Sequence, residues 1–427
     1  MKRYLSFIIY HLSFSLALCL ALSACGSDDD APSGPTPVEQ PVQTVLWLVP
    51  YVPSLSEGIN NNRIDMEKAI RNNRGLNNTR FLVYKASSLS QGELYELMWY
   101  GDSLYRKSLK VYTNFTPAKA EPIARLLTDV KALAPSTTGR YGLMIGCHGM
   151  GWINVDDYLR APRRSAPESD STFSLSSTAP YPDSTLSLSS TSLHPYFGGD
   201  GKQTCTNIDE LREAVEMSNM HLDFILFDDC YMASVEVAYE LRSVTNFVIG
   251  STCEIMNYGL PYERLFCHLI GNQPNYATFM DEFYRFYSNY PIPCGTFSAI
   301  DCTQIEQVAN LMQRINANYT FNTEQLSQLQ YFDGFSSHIF FDMGDYVDHL
   351  CENTELKEQM HRLLQQLVPY KTATAQFYSQ YNDRRTNIRT YSGITISDPS
   401  ENPKAANKTE TSWWKASRGG AALLNEK

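Results

Sequence analysis

No two of the ten cysteines in this 427-residue chain stand as C-x-x-C, which excludes a zinc knuckle and a thioredoxin-like dithiol. There is no H-E-x-x-H and no G-x-S-x-G, so zincin and serine-hydrolase chemistry lack their central parts. Gly198-Gly199-Asp200-Gly201-Lys202 has Tyr196 where a phosphate loop needs its first glycine, and no strand leads into it, so it reads as a turn. Positive charge is also short. Lys and Arg number 35 against 46 Asp and Glu, a formal net charge of −11, and no basic stripe is available to displace counterions from phosphates. Nucleic acid is therefore excluded as a partner.

Long apolar runs are missing everywhere except the start. Lys2 and Arg3 precede a mainly apolar stretch from Leu5 to Leu22, closed by Ser23-Ala24-Cys25. This resembles a bacterial lipoprotein signal: residues 1–24 are removed and Cys25 becomes an acylated N-terminus, anchoring the protein to a membrane without a spanning helix. Residues 25–43, rich in Pro, Ser, Gly and Asp, cannot bury enough apolar surface to offset their ordering entropy and read as a tether. The expected location is outside the cell, lipid-anchored at the bacterial outer membrane, and Asp28-Asp29-Asp30 resembles the acidic stretch that sends some lipoproteins to the cell surface. With Cys19 in the signal and Cys25 lipidated, the remaining cysteines are spread too widely to specify a disulfide framework and read as buried packing residues.

Hydrophobic residues at 43% and charged residues at 19% suit a globular chain with a sizeable core. From Thr44 onward, short β-branched and aromatic runs alternate with amphipathic patterns, the rhythm of a mostly parallel α/β sheet flanked by helices. The patterning predicts strands at Val45–Val49, Arg80–Tyr84, Leu109–Tyr112, Tyr141–Gly146, Asp223–Phe227, Asn246–Gly250, Thr296–Ile300 and Tyr391–Ile396. It predicts helices at Ile64–Asn72, Pro117–Leu133, Asn207–Ser218, Ala233–Leu241, Tyr276–Tyr287 and Thr303–Asn316. In such folds ligands gather at the carboxyl ends of the strands.

Two of those strand ends carry chemistry. The run Tyr141 to Gly146 delivers Cys147, His148, Gly149, Gly151 and Trp152, a histidine followed by glycines that admit close backbone approach. The run Leu222 to Phe227 delivers Asp228, Asp229 and Cys230 just before a predicted helix. A thiolate there is expected to gain from the helix dipole and from the imidazole, and the pair is suited to attack a carbonyl and protonate the leaving amine.

Leu143–Trp152 and Phe224–Leu241 resemble the clostripain family of cysteine endopeptidases, relatives of caspases, gingipains and legumain. Thr245–Tyr262, Tyr391–Ile396 and Thr411-Ser412-Trp413 fit the same family. The resemblance implies a caspase-like three-layer α/β sandwich and peptide or protein substrates. It makes Cys230 the nucleophile, His148 the general acid and base, and the backbone N–H groups of Gly149 and Cys230 the oxyanion hole. Asp228 aligns with a family carboxylate that helps line the pocket for Arg or Lys before the scissile bond, and Asp229 and Glu254 are further candidates for contacting substrate. Asp229 departs from the family's usual small residue and adds a charge expected to oppose thiolate formation. No cofactor is required by this chemistry. Calcium dependence occurs in the family, and acids such as Asp342 and Asp345 are candidates for holding it, although no EF-hand pattern exists.

The expected organisation is a catalytic domain over 44–305, interrupted by an exposed Ser/Thr/Pro-rich loop at 165–192, and a C-terminal subdomain over 306–427 that returns a strand to the sheet. Arg163 and Arg164 at the loop entrance are expected self-processing sites, because family members can be cut at a basic residue in this interval. The competing reading is a surface binding or adhesion lipoprotein that uses the same fold without turnover.

Overall fold

A computed structural model describes residues 40–156, 197–200 and 202–419. The signal, Cys25, Arg163, Arg164 and the 165–192 loop lie outside the described residues. Thirteen strands occur among the described residues: β1 (Gln43–Val49), β2 (Thr79–Ser88), β3 (Gln91–Tyr100), β4 (Ser103–Thr113), β5 (Tyr141–Gly146), β6 (Leu222–Asp228), β7 (Thr245–Gly250), β8 (Thr296–Asp301), β9 (Phe341–Asp342), β10 (Tyr370–Ala373), β11 (Gln376–Ser379), β12 (Arg384–Asn387) and β13 (Thr395–Ile396). Nine form one sheet, ordered β10-β8-β7-β6-β5-β1-β2-β3-β4. The five central strands, β2-β1-β5-β6-β7, are parallel. Antiparallel partners extend both edges.

The central strands read as continuous apolar runs because both faces are covered. Along β1, Leu46 and Leu48 pack into one hydrophobic cluster, while Val45, Trp47 and Val49 pack into the other. Successive side chains on a strand point to opposite faces, so one segment serves both layers. On the first face lie α2 (Ala120–Leu133), α3 (Ile208–Met217), α4 (Val235–Leu241) and α7 (Ile305–Asn316). On the second lie α1 (Ser56–Asn73), α5 (Tyr262–Leu269) and α6 (Tyr276–Ser288). The result is the expected three-layer α/β sandwich.

The sheet differs from the sequence reading at its margins. Gln91–Tyr100 was not predicted as a strand, yet it pairs with both β2 and β4. The predicted strand Tyr391–Ile396 shortens to Thr395–Ile396 and pairs with β9 outside the main sheet. Tyr370–Ala373 is the C-terminal strand that joins the sheet, antiparallel to β8. The residues after 305 also contribute Met343, Tyr346, Met360, Leu364 and Trp413 to the first-face cluster, so they share its core. No helix among the described residues is long and apolar enough to cross a membrane.

Candidate active site

The parallel register of β5 and β6 sets Gly146 against Asp228. His148 follows the first by two residues and Cys230 follows the second by two, so equal offsets carry both to the same end of adjacent strands. The two tips then lock together. The Cys147 N–H donates to Asp229 Oδ1 at 2.7 Å. A Cβ added to Gly149 would fall 2.4 Å from the Cys230 carbonyl oxygen and 2.8 Å from its nitrogen, contacts closer than real side chains make. Glycine is needed here for the loops to touch. Neither the Gly149 nor the Cys230 N–H donates to another protein group among the described residues.

The Cys230 sulfur sits beside the 251–258 loop and accepts the Ile255 N–H at 3.3 Å. Tyr231 takes a left-handed conformation, φ 64°, to turn the chain away from β6. Its ring stacks on Phe340 at 4.7 Å, and its hydroxyl donates to Glu254 at 2.7 Å. The expected help from a helix dipole is absent: α4 starts only at Val235, behind the Ser234 cap, and the dipole's effect is confined to the first turn. Burial, then the neighbouring Glu254 charge, hold the Cys230 thiol well above its ordinary range.

His148 is tethered by its backbone and its ring. Its N–H and carbonyl exchange hydrogen bonds with Gly198, at 3.1 and 3.0 Å. Its Nε2 lies 2.8 Å from Ser54 Oγ and 3.3 Å from Asp200 Oδ1. Neither Ser54 nor Asp200 was singled out from the sequence as a site residue. Asp200 belongs to the glycine-rich turn that failed the phosphate-loop pattern, and its proximity to His148 arises only on folding.

The three candidate substrate carboxylates occupy different environments. Asp228 Oδ2 accepts the Asn62 amide at 2.9 Å and the Leu260 N–H at 3.3 Å, while its Oδ1 is buried without a hydrogen-bond partner among the described residues. Burial raises Asp228 to about 7, against the Leu260 N–H and the nearby Tyr262 hydroxyl. That hydroxyl lies beside the carboxylate without forming a bond of normal geometry. Asp229 is fully buried, with one oxygen on Cys147 N–H, and burial pushes it far above the usual carboxylate range. The charge expected of it is thereby suppressed. Glu254 accepts from Tyr231, from Ser379 and, at 2.8 Å, from the Gln380 N–H. Glu254 is thus committed to the protein's own donors through both oxygens, whereas Asp229 commits only Oδ1 and its Oδ2 is buried without a hydrogen-bond partner among the described residues.

Asp342 and Asp345 do not form a calcium cradle. Asp342 accepts the Asp345 and Ser392 N–H groups at 3.0 and 2.6 Å, and Asp345 accepts the Gln330 N–H at 2.6 Å. Among the described residues no group of three or more His, Cys, Asp or Glu is placed to hold a metal ion. The eight cysteines from Cys147 to Cys351 are free thiols, six of them buried.

The clostripain family model matches residues 196–405. A secreted C11 cysteine protease from Bacteroides thetaiotaomicron, "iotapain", is 37% identical with a TM-score of 0.78, over 88% of this chain and 99% of its own. A clostripain from Bacteroides thetaiotaomicron ATCC 29148, in complex with the peptide inhibitor BTN-VLTK-AOMK, is 45% identical over 52% of this chain and 99% of its own, with a TM-score of 0.51. An inactive zymogen C11 protease from Parabacteroides distasonis shares the fold, with a TM-score of 0.71 at 24% identity over 90% of this chain and 99% of its own. A search of curated proteins gave no match. The 37% identity, which spans nearly the whole of iotapain, together with the family match across the Cys230 strand, places this chain in the clostripain family of cysteine proteases.

Proposed function

We propose that the chain is a lipid-anchored cysteine endopeptidase in which Cys230 is the nucleophile and His148 its base, cutting peptides after Lys or Arg. The observation that carries the dyad is the register of Gly146 with Asp228 together with the contact of Gly149 on the Cys230 backbone. In the first step His148 takes the thiol proton and the sulfur attacks the scissile carbonyl carbon. The resulting oxyanion lies between the Gly149 and Cys230 N–H groups, where one donor is worth about 3–4 kcal/mol. His148 then protonates the leaving amine as the C–N bond breaks, and water, deprotonated by His148, hydrolyses the thioester. The raised thiol pKa fits a resting enzyme whose sulfur stays protonated until His148 takes its proton.

Asp228, rather than Asp229 or Glu254, is the carboxylate we assign to the pocket. Among the described residues, Asp228 and Asp229 each keep a buried oxygen without a partner, a costly state that a cationic substrate side chain relieves. Asp229 is fully buried and ties the two strand tips together, whereas Asp228 retains some exposure. The peptide part of the inhibitor held by the 45%-identical clostripain ends in lysine, which agrees with this reading. Self-cleavage after Arg163 or Arg164 and lipidation at Cys25 complete the proposal, and the description of iotapain as secreted is consistent with export.

Hydrolysis of fluorogenic peptides ending in Lys, Arg, Asn or Asp tests the chemistry and the pocket together. Cys230→Ala and His148→Ala should abolish turnover, and iodoacetamide should label Cys230 in the parent far faster than in His148→Ala. Full activity in either variant would remove the dyad. Expression of the parent beside Cys230→Ala tests processing, since two intact, identical bands would count against it. Metabolic labelling with a fatty-acid analogue, lost in Cys25→Ala, tests the anchor.

A further inference from the structure

We propose that Asp200 and Ser54 form a relay that decides which nitrogen of His148 carries the proton, keeping Nε2 protonated and Nδ1 as the base toward Cys230. The inference rests on His148 being that base. Its evidence is three hydrogen bonds and one ion-pair contact. The Ser54 N–H donates to Asp200 Oδ2 at 2.8 Å, and the Ser54 hydroxyl donates to Asp200 Oδ1. A carboxylate can only accept, so the single Ser54 hydroxyl hydrogen is spent on Asp200. Ser54 Oγ must then accept at its 2.8 Å contact with His148 Nε2, which requires a proton on Nε2. Asp200 Oδ1, 3.3 Å from the same nitrogen, is a second acceptor for it. In the neutral ring the lone pair is thereby left on Nδ1.

Asp200 is ionised as this logic requires. Burial works against its charge, but the His148 and Ser54 bonds outweigh it and lower the group to about 2. The backbone builds the placement from three distant segments. Gly198 pairs with His148 while holding φ 129°, a conformation reserved for glycine. A Cβ on Gly199 would fall 2.1 Å from the Tyr51 carbonyl oxygen, so the turn packs directly on the segment that follows β1 and presents Ser54. The turn that failed as a phosphate loop thus has a use as a carboxylate holder.

During the reaction the thiol proton moves from Cys230 Sγ to Nδ1, making the imidazolium. The Nε2 proton stays in place, and the Asp200 charge stabilises the cation until Nδ1 releases its proton to the leaving amine. Asp200 and Ser54 are positioning residues, since neither contacts the reacting atoms in this scheme.

The test combines kinetics with ¹⁵N spectroscopy of His148 in a Cys230→Ala background. Asp200→Asn offers an NH₂ to Ser54 Oγ and frees the hydroxyl to donate into Nε2, favouring the wrong tautomer. The expected result is a kcat lower by about 10- to 100-fold, within the range that acid–base catalysis contributes, with KM little changed. The ¹⁵N signals should shift from the Nε2–H form toward the Nδ1–H form. Ser54→Ala, at an exposed position, should lower kcat in the same sense without unfolding, and Ser54→Thr should restore it. Unchanged tautomer populations in Asp200→Asn and Ser54→Ala would overturn the relay, whether or not kcat falls. An inactive His148→Ala alongside that result would leave the dyad standing; an active His148→Ala would remove the dyad itself.

Discussion

The backbone N–H of Cys147 donates to the side chain of Asp229 at 2.7 Å, tying the residue before the histidine to the residue before the nucleophile. Asp229 is fully buried and its burial favours the neutral acid. The side chain is thus a clamp between two strand tips, where the sequence suggested a second charge beside the thiol.

An amide can replace a neutral clamp better than a methyl group can. Asp229→Asn should keep the Cys147 bond and most activity. Asp229→Ala should leave that N–H without a partner and cost about 1–3 kcal/mol of stability, together with a marked loss of kcat. Thermal unfolding and steady-state kinetics of the two variants side by side provide the check, and equal behaviour would contradict the clamp.

Gly149→Ala should be nearly inactive. The added Cβ meets backbone atoms of Cys230 and the Asp229 Cβ, at 2.4–2.8 Å, and none of these can rotate away. Overpacking of this kind costs about 1–3 kcal/mol, and the displaced N–H groups should lower kcat more than they raise KM. A kcat within twofold of the parent would show that the two tips can separate without harm.

Asp228→Asn should lower kcat/KM for Lys- and Arg-ending peptides by about 10- to 100-fold, the worth of a charge-assisted bond, while peptides with neutral residues at that position change little. Because burial raises the free group to about 7, kcat/KM for cationic substrates should climb as pH rises through that value and the carboxylate forms. A flat preference in the variant and the parent would move the pocket elsewhere.

Glu236, on α4, is buried with Oε1 on the Ser397 N–H at 2.7 Å and Oε2 without a partner among the described residues. Burial, then the Asp398 charge, raise it from 4.5 to about 8. The folded state therefore holds a proton that the unfolded chain releases between about pH 4.5 and 8. The stability this group contributes is complete below 4.5 and is lost as pH rises toward 8, on the order of a few kcal/mol. Glu236→Gln should flatten that part of the profile, so its midpoint temperature should fall less than the parent's between pH 5 and pH 8. Parallel profiles would refute the assignment.

Much of the fold was legible because each central strand had to be apolar on both faces. Tyr141–Gly146 was predicted with its observed limits, and Thr245–Gly250 within one residue. Gln91–Tyr100 escaped because Glu93 and Glu96 interrupt its apolar pattern. Glu96 is buried in an ion pair with Arg80 at 2.6 Å, a partner two strands of sequence cannot announce. The helix before which Cys230 was expected begins later than predicted because Ser234 caps it and Tyr231 turns the chain first.

By itself, the sequence determined the alternation of strands and helices and the residue types delivered at two strand ends, since both follow from local patterning and chain order. Only the tertiary structure decided that Asp229 and Glu254 face inward, that Asp228 keeps an unpartnered oxygen, and that Ser54 and Asp200 meet one imidazole. Those outcomes depend on burial and on hydrogen-bond direction between residues up to 166 positions apart, and neither quantity exists until the chain has closed on itself.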